Sequence, residues 1–128
     1  MSVLALILGA GLLGPDPAPL SAAVKTCDRA AMTAQTQAEP GRRADFAMGV
    51  YAEQRAIAAE RAALDAGTPA TSSGAAGQAS LTAARDTLDA RQRRLEDAIR
   101  VERAWRELND ELRAQFLAAC TGRKAANG

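Results

Sequence analysis

Between Leu81 and Cys120 the apolar residues Leu81, Ala84, Leu88, Leu95, Ala98, Ile99, Trp105, Leu108, Leu112, Phe116 and Ala119 recur mostly at steps of three, four or seven. That is the period of one helix face. No Gly or Pro interrupts the run and Gly122 follows it, so the pattern predicts one long helix over 81–121 with a tail at 122–128. A helix of 40 residues would be about 60 Å long at 1.5 Å per residue. Leu81, Leu88 and Leu95 keep a strict seven-residue step, as a coiled-coil seam does. Glu102 takes the next place in that series, and Ile99, Trp105 and Leu108 carry the apolar stripe onward.

A first helical arm is predicted over 24–66, where Phe46, Val50, Ile57 and Leu64 form a second stripe at four- and seven-residue steps. Glu39-Pro40-Gly41 interrupts it. The favoured reading is one helix kinked at Pro40, and a full break there would make a three-helix bundle. Turn formers and small polar residues fill Ala66 to Ser80, which reads as a flexible loop over 67–80 with Ser80 capping the second helix. The expected fold is therefore all-α: a long antiparallel, coiled-coil-like helical hairpin. Folding back about this loop gives neighbouring residues whose numbers total about 147. The sum sets Cys27 level with Cys120, Met48 beside Ile99, and Met32 beside Gln115 and Phe116. Phe46, Val50, Ile57, Leu64, Leu88, Leu95, Ile99, Trp105, Leu108, Leu112 and Phe116 are the expected packing residues.

Composition narrows the picture. Alanine supplies 32 residues and aromatics number four, too few large side chains for a sandwich, barrel or doubly wound sheet. Residues Val3 to Leu13 are uninterruptedly apolar but too short to span a bilayer, and Ser21-Ala22-Ala23 resembles a signal-peptidase site. Residues 1–23 are thus read as an export segment cleaved after Ala23, although no Lys or Arg precedes the apolar run. Retention as an anchor is the alternative. The only cysteines, Cys27 and Cys120, are expected to form one disulfide in a periplasmic or secreted chain.

The inventory of chemistry is mostly negative. No histidine is present, which removes Ser-His-Asp and Cys-His catalysis, and two distant cysteines make neither a redox pair nor a zinc site. No cofactor, metal or catalytic residue is assigned. The carboxylates Glu107, Asp110 and Glu111 are conceivable acid–base groups but are read as solvated surface. Pairs four apart, Asp89 with Arg93, Glu96 with Arg100 and Glu102 with Arg106, are read as helix-supporting surface contacts. A net charge of +1 is too balanced for phosphate-dominated nucleic-acid binding.

The segment Glu102-Arg103-Ala104-Trp105-Arg106 with downstream Cys120 resembles a Gln-Arg-Ala-Trp segment of small exported lysozyme-inhibitor proteins. It departs from them at Glu102, in the longer gap to Cys120 and in lacking further cysteines, so membership is not assigned. The functional expectation is a non-catalytic protein-interaction or structural module of the bacterial envelope, acting through self-association or another envelope protein. The alternative is a periplasmic inhibitor or chaperone-like binder of a soluble client.

Overall fold

The computed structural model describes residues 14–67 and 74–126, with side chains as far as Thr121. The expected apolar export run at 3–13 and the centre of the expected loop lie outside these residues. Among the described residues there are three helices: α1 (Ala18–Thr26), α2 (Arg29–Ala66) and α3 (Ala75–Ala126). Among the described residues there is no strand.

The helix ends follow local chemistry. Asp16 Oδ1 accepts from the Ala18 amide at 2.9 Å, and α1 ends where Cys27 adopts the left-handed conformation, φ 51°. There the Asp28 amide returns to the Ala23 carbonyl at 2.9 Å. Asp28 then caps α2 by accepting from the Ala31 amide at 3.0 Å. The first arm is thus interrupted at Cys27–Asp28, and α2 runs as one helix through Pro40. Pro40 removes the N–H that would reach the Thr36 carbonyl, but the residues around it are anchored by tertiary contacts described below.

Helix α3 is longer at both ends than the pattern indicated. It starts with the Gln78 amide bonded to the Gly74 carbonyl at 3.0 Å, so residues 75–80, Ser80 included, are helical rather than loop. It also passes Gly122 and ends at Ala126. Adding residues to an existing helix is easy compared with nucleating one, and the alanines at 75, 76 and 79 offset the roughly 1 kcal/mol cost of Gly77.

Cross-links between α2 and α3 join residues in reverse chain order. Paired numbers total 144 for Arg42–Glu102 and for Glu53–Arg91, and 150 for Arg61–Asp89. Cys27 and Cys120 form the disulfide, Cα–Cα 5.3 Å.

Buried residues keep the seven-residue step throughout. On α3, Leu88, Leu95, Glu102, Asn109 and Phe116 are all buried, with Ala98 and Trp105 beside them. On α2 the buried Met32, Glu39 and Glu53 bracket the half-buried Phe46 at the same step. Among the described residues two apolar clusters result. One holds Leu20, Met32, Trp105, Phe116 and Cys120, with Val24, Cys27 and Leu112 against it. The other holds Ile57, Leu88 and Leu95, with Val50, Leu64 and Ile99 against it.

Helix α1 belongs to the first cluster through Leu20, and Ala23 is buried too. The expected cleavage point after Ala23 therefore falls inside a packed helix. Cutting there would remove Leu20, whose burial is worth about 1.5–3 kcal/mol. No described helix is long and apolar enough to cross a membrane.

Candidate functional site

The two apolar clusters are separated by a belt of charge. Glu39 lies on α2 and is 7% exposed; Glu102 lies on α3 and is 5% exposed. Arg42 bridges them. Its Nη1 and Nη2 donate to Glu102 Oε2 and Oε1 at 2.9 and 2.7 Å, while its Nε and Nη2 reach Glu39 Oε2 and Oε1 at 2.9 and 2.7 Å. Arg43 Nε donates to Glu39 Oε1 at 2.9 Å, and Arg106 Nε to Glu102 Oε1 at 2.9 Å. Trp105 completes the set, its indole N–H donating to Glu39 Oε1 at 2.8 Å. The Arg42 guanidinium also lies 5.8 Å from the centre of the Trp105 ring, within cation–π range.

These contacts decide the ionisation of both carboxyls. Burial alone would raise Glu39, but the hydrogen bonds from Arg42, Arg43 and Trp105 together outweigh it and hold Glu39 down at about 2. Glu102 is likewise pushed up by burial and pulled further down by Arg42 and Arg106, ending below the usual range. Arg42 is raised by its hydrogen bonds to Glu39 and Glu102. A carboxyl held near 2 is a permanent anion at neutral pH, unsuited to proton transfer and suited to ion pairing.

A second polar link sits beside the other cluster. Arg91 Nε donates to buried Glu53 at 2.9 Å and Arg91 Nη1 to Glu60. Those two hydrogen bonds raise the Arg91 guanidinium. Arg61 meets Asp89 at 2.7 Å.

The surface reading of these charges needs correction. Of the three pairs expected along the second helix, only Glu102–Arg106 forms, and Glu102 is buried. Asp89 reaches across to Arg61, and Arg100 pairs with Asp97 instead. The physical reason is position: Glu102 and Asn109 continue the Leu88–Leu95 series, so they face α2. That unbroken seven-residue step is the sequence signal that could have identified them. Glu39 could have been found in the same way, midway between Met32 and Phe46, had Pro40-Gly41 not been taken as the end of the pattern.

Among the expected packing residues, Ile57, Leu88, Leu95, Trp105 and Phe116 are buried. Val50, Leu64, Ile99 and Leu112 lie against the clusters. Phe46 is half-buried. Leu108 is 39% exposed, and Met48 is 70% exposed, so it does not pack on Ile99 as the register arithmetic had it. Asp110 accepts from Arg43 at 3.4 Å and Glu111 from Gln115 at 3.2 Å, which keeps both on the surface. No group of three or more metal-ligating side chains is present among the described residues.

Two concavities border the belt. A groove of about 370 Å³ has Phe46, Val50, Tyr51 and Ile99 along it, together with Arg103 and Arg106. Tyr51 is 64% exposed, and the Arg55 guanidinium lies 6.0 Å from its ring centre. A smaller cleft of about 200 Å³ is lined by Thr36, Glu39, Pro40, Arg43, Asn109 and Arg113. Comparison with known proteins yields no match: no family, no curated protein and no solved structure resembles the chain.

Proposed function

We propose that the protein is a non-catalytic protein-interaction module: a long antiparallel, coiled-coil-like hairpin, bent at Pro40 and closed by the Cys27–Cys120 disulfide, that docks a protein partner along the Phe46–Tyr51 groove. The carrying observation is the exposure of Tyr51 beside Phe46, Val50 and Ile99 on helices that ion pairs and a disulfide hold together. Aromatic side chains in a groove on a rigid support are favourable anchors, because little freedom is lost when they are covered.

Charge selects the partner. Arg106 in the groove is paired with Glu102, which lines it too, so the positive charge offered to a partner is that of Arg103 in the groove and Arg55 at the Tyr51 ring, and the segment that fits carries apolar residues flanked by carboxylates. The disulfide supports an oxidising compartment, and the bacterial envelope is the proposed setting. Processing ahead of α1 would keep Leu20 in the core, whereas cleavage after Ala23 would leave the fold to form without it.

The test is site-specific photocrosslinking in cells, with benzoylphenylalanine at Tyr51 and, as a control, at the exposed Arg94. A discrete adduct at position 51 alone, weakened by Arg103→Glu, supports the reading. Equal adducts at both positions, no adduct, or an adduct of twice the chain's own mass would overturn it.

A further inference from the structure

The seam between α2 and α3 has two flanks, and the molecule itself shows what one of them accepts. On α3, Trp105 stands four residues before the buried Asn109 and Ile99 three residues before the buried Glu102. At 3.6 residues per turn they therefore lie on opposite flanks of the buried line. The Trp105 flank receives α1, a helix of 9 residues that touches both α2 and α3. Its Leu20 and Ala23 are buried, Leu20 in one cluster with Met32 of α2 and Trp105 of α3. A crease of this hairpin thus seats a short helix through side chains three apart.

The Ile99 flank holds the groove, with Phe46, Val50 and Tyr51 facing it from α2. Its lining extends from Phe46 to Gln54 and from Ile99 to Arg106, about 10–12 Å at 1.5 Å per residue, or two helical turns. An extended guest would find no backbone partner there, because no strand, and so no sheet edge, is present among the described residues. A helix satisfies its own backbone groups and offers one apolar face. Charge sets what borders that face. Glu102 in the groove is already paired with Arg42 and Arg106, whereas Arg103 and Arg55 are exposed and form no ion pair among the described residues. One guanidinium borders the groove from each helix, Arg55 through its place at the Tyr51 ring.

Resting on the groove as the docking site, we propose that its occupant is an amphipathic α-helix of the partner protein, seated in this crease as α1 is seated on the other flank. Its apolar residues fall at i, i+3 or i+4, and i+7, with a carboxylate on each edge of that face.

The probe is a designed alanine-based peptide with leucine at i, i+3 and i+7 and glutamates on both edges of that face, titrated into the oxidised, full-length chain and followed by NMR. Saturable shifts of the Tyr51 ring and the Ile99 methyl groups are expected, with Leu20 unmoved. Replacing a central alanine of the peptide by proline, replacing its glutamates by lysine, or Arg103→Glu in the protein should each weaken the dissociation constant by about tenfold or more. No saturable binding, shifts at Leu20 equal to those at Tyr51, or binding that survives the proline or the lysines would overturn the assignment. The photocrosslink at Tyr51 decides separately whether the groove docks a protein, so a crosslinked partner without binding of the helical peptide would strike this inference and leave that reading standing.

Discussion

The indole N–H of Trp105 on α3 donates at 2.8 Å to the Glu39 carboxylate on α2, and Glu39 also accepts from Arg42 and Arg43. One carboxylate thereby collects an aromatic donor from the facing helix and two guanidiniums from its own. Arg42 carries the network back to α3 at Glu102. Buried ion pairs often add little net stability compared with apolar packing, but they penalise every arrangement that leaves one charge unpaired. Sliding α2 along α3 by one turn would separate Arg42 from Glu102 and Trp105 from Glu39, so the belt specifies register.

Replacing Glu39 by Gln tests this directly. The substitution keeps the shape and leaves Arg42 and Arg43 crowded without their shared anion. A buried pair broken from one side costs about 3–5 kcal/mol, and the partial exposure of both arginines places the expected loss at about 3 kcal/mol. Urea denaturation followed by circular dichroism measures it. A loss below about 1 kcal/mol would mean that the belt is not tightly formed.

Acid should weaken the fold in a defined window. Glu39 is held at about 2 in the folded protein against an ordinary value of 4.5, so between those values the unfolded chain binds more protons than the folded one. Its contribution is therefore complete above about pH 4.5 and is lost as pH falls toward 2. The gap corresponds to about 3 kcal/mol, and Glu102, also lowered, acts in the same direction. Stability measured from pH 6 to pH 2 should fall more steeply in the wild type than in Glu39→Gln.

The disulfide spans a sequence separation of 93. Cross-linking so long a loop removes chain entropy from the unfolded state, worth about 4–5 kcal/mol. The double variant Cys27→Ser, Cys120→Ser should lose stability on that scale in chemical denaturation, and adding reductant should have no further effect on it.

Leu20→Ala asks whether α1 is part of the folded unit. Leu20 is buried against Trp105, Phe116 and Cys120, and truncating a buried leucine costs about 2–5 kcal/mol. Mass spectrometry of the protein recovered from cells gives a second reading, since an N-terminus at Val24 would show that the fold forms without α1.

Leu95→Asp compared with Arg94→Asp tests the helix faces. Leu95 is almost wholly buried and Arg94 exposed. Placing an unpaired carboxylate in the Ile57–Leu88 cluster should unfold the chain or cost more than about 4 kcal/mol, whereas the Arg94 change should stay within about 0.5 kcal/mol. Thermal melts of the two variants distinguish them.

Alanine-rich composition, the three-four spacing on both arms and a single pair of cysteines were enough to determine an all-helical chain with a Cys27–Cys120 bridge, because helix propensity and periodicity are local properties. The site was less legible. Glu39, Glu53, Glu102 and Asn109 look like surface residues in isolation, and a charged side chain is placed inside only when its partner arrives from another helix. Arg42 is 60 residues from Glu102 in sequence and 2.7 Å from it in space, so only the tertiary structure could convert an apparent break in the apolar stripe into its central contact. The same holds at the N-terminal end. Small residues near Ala23 carry the local chemistry of a cleavage site, and only the tertiary structure shows Leu20, in the same helix, buried with Trp105 and Phe116, some 85 to 96 positions away.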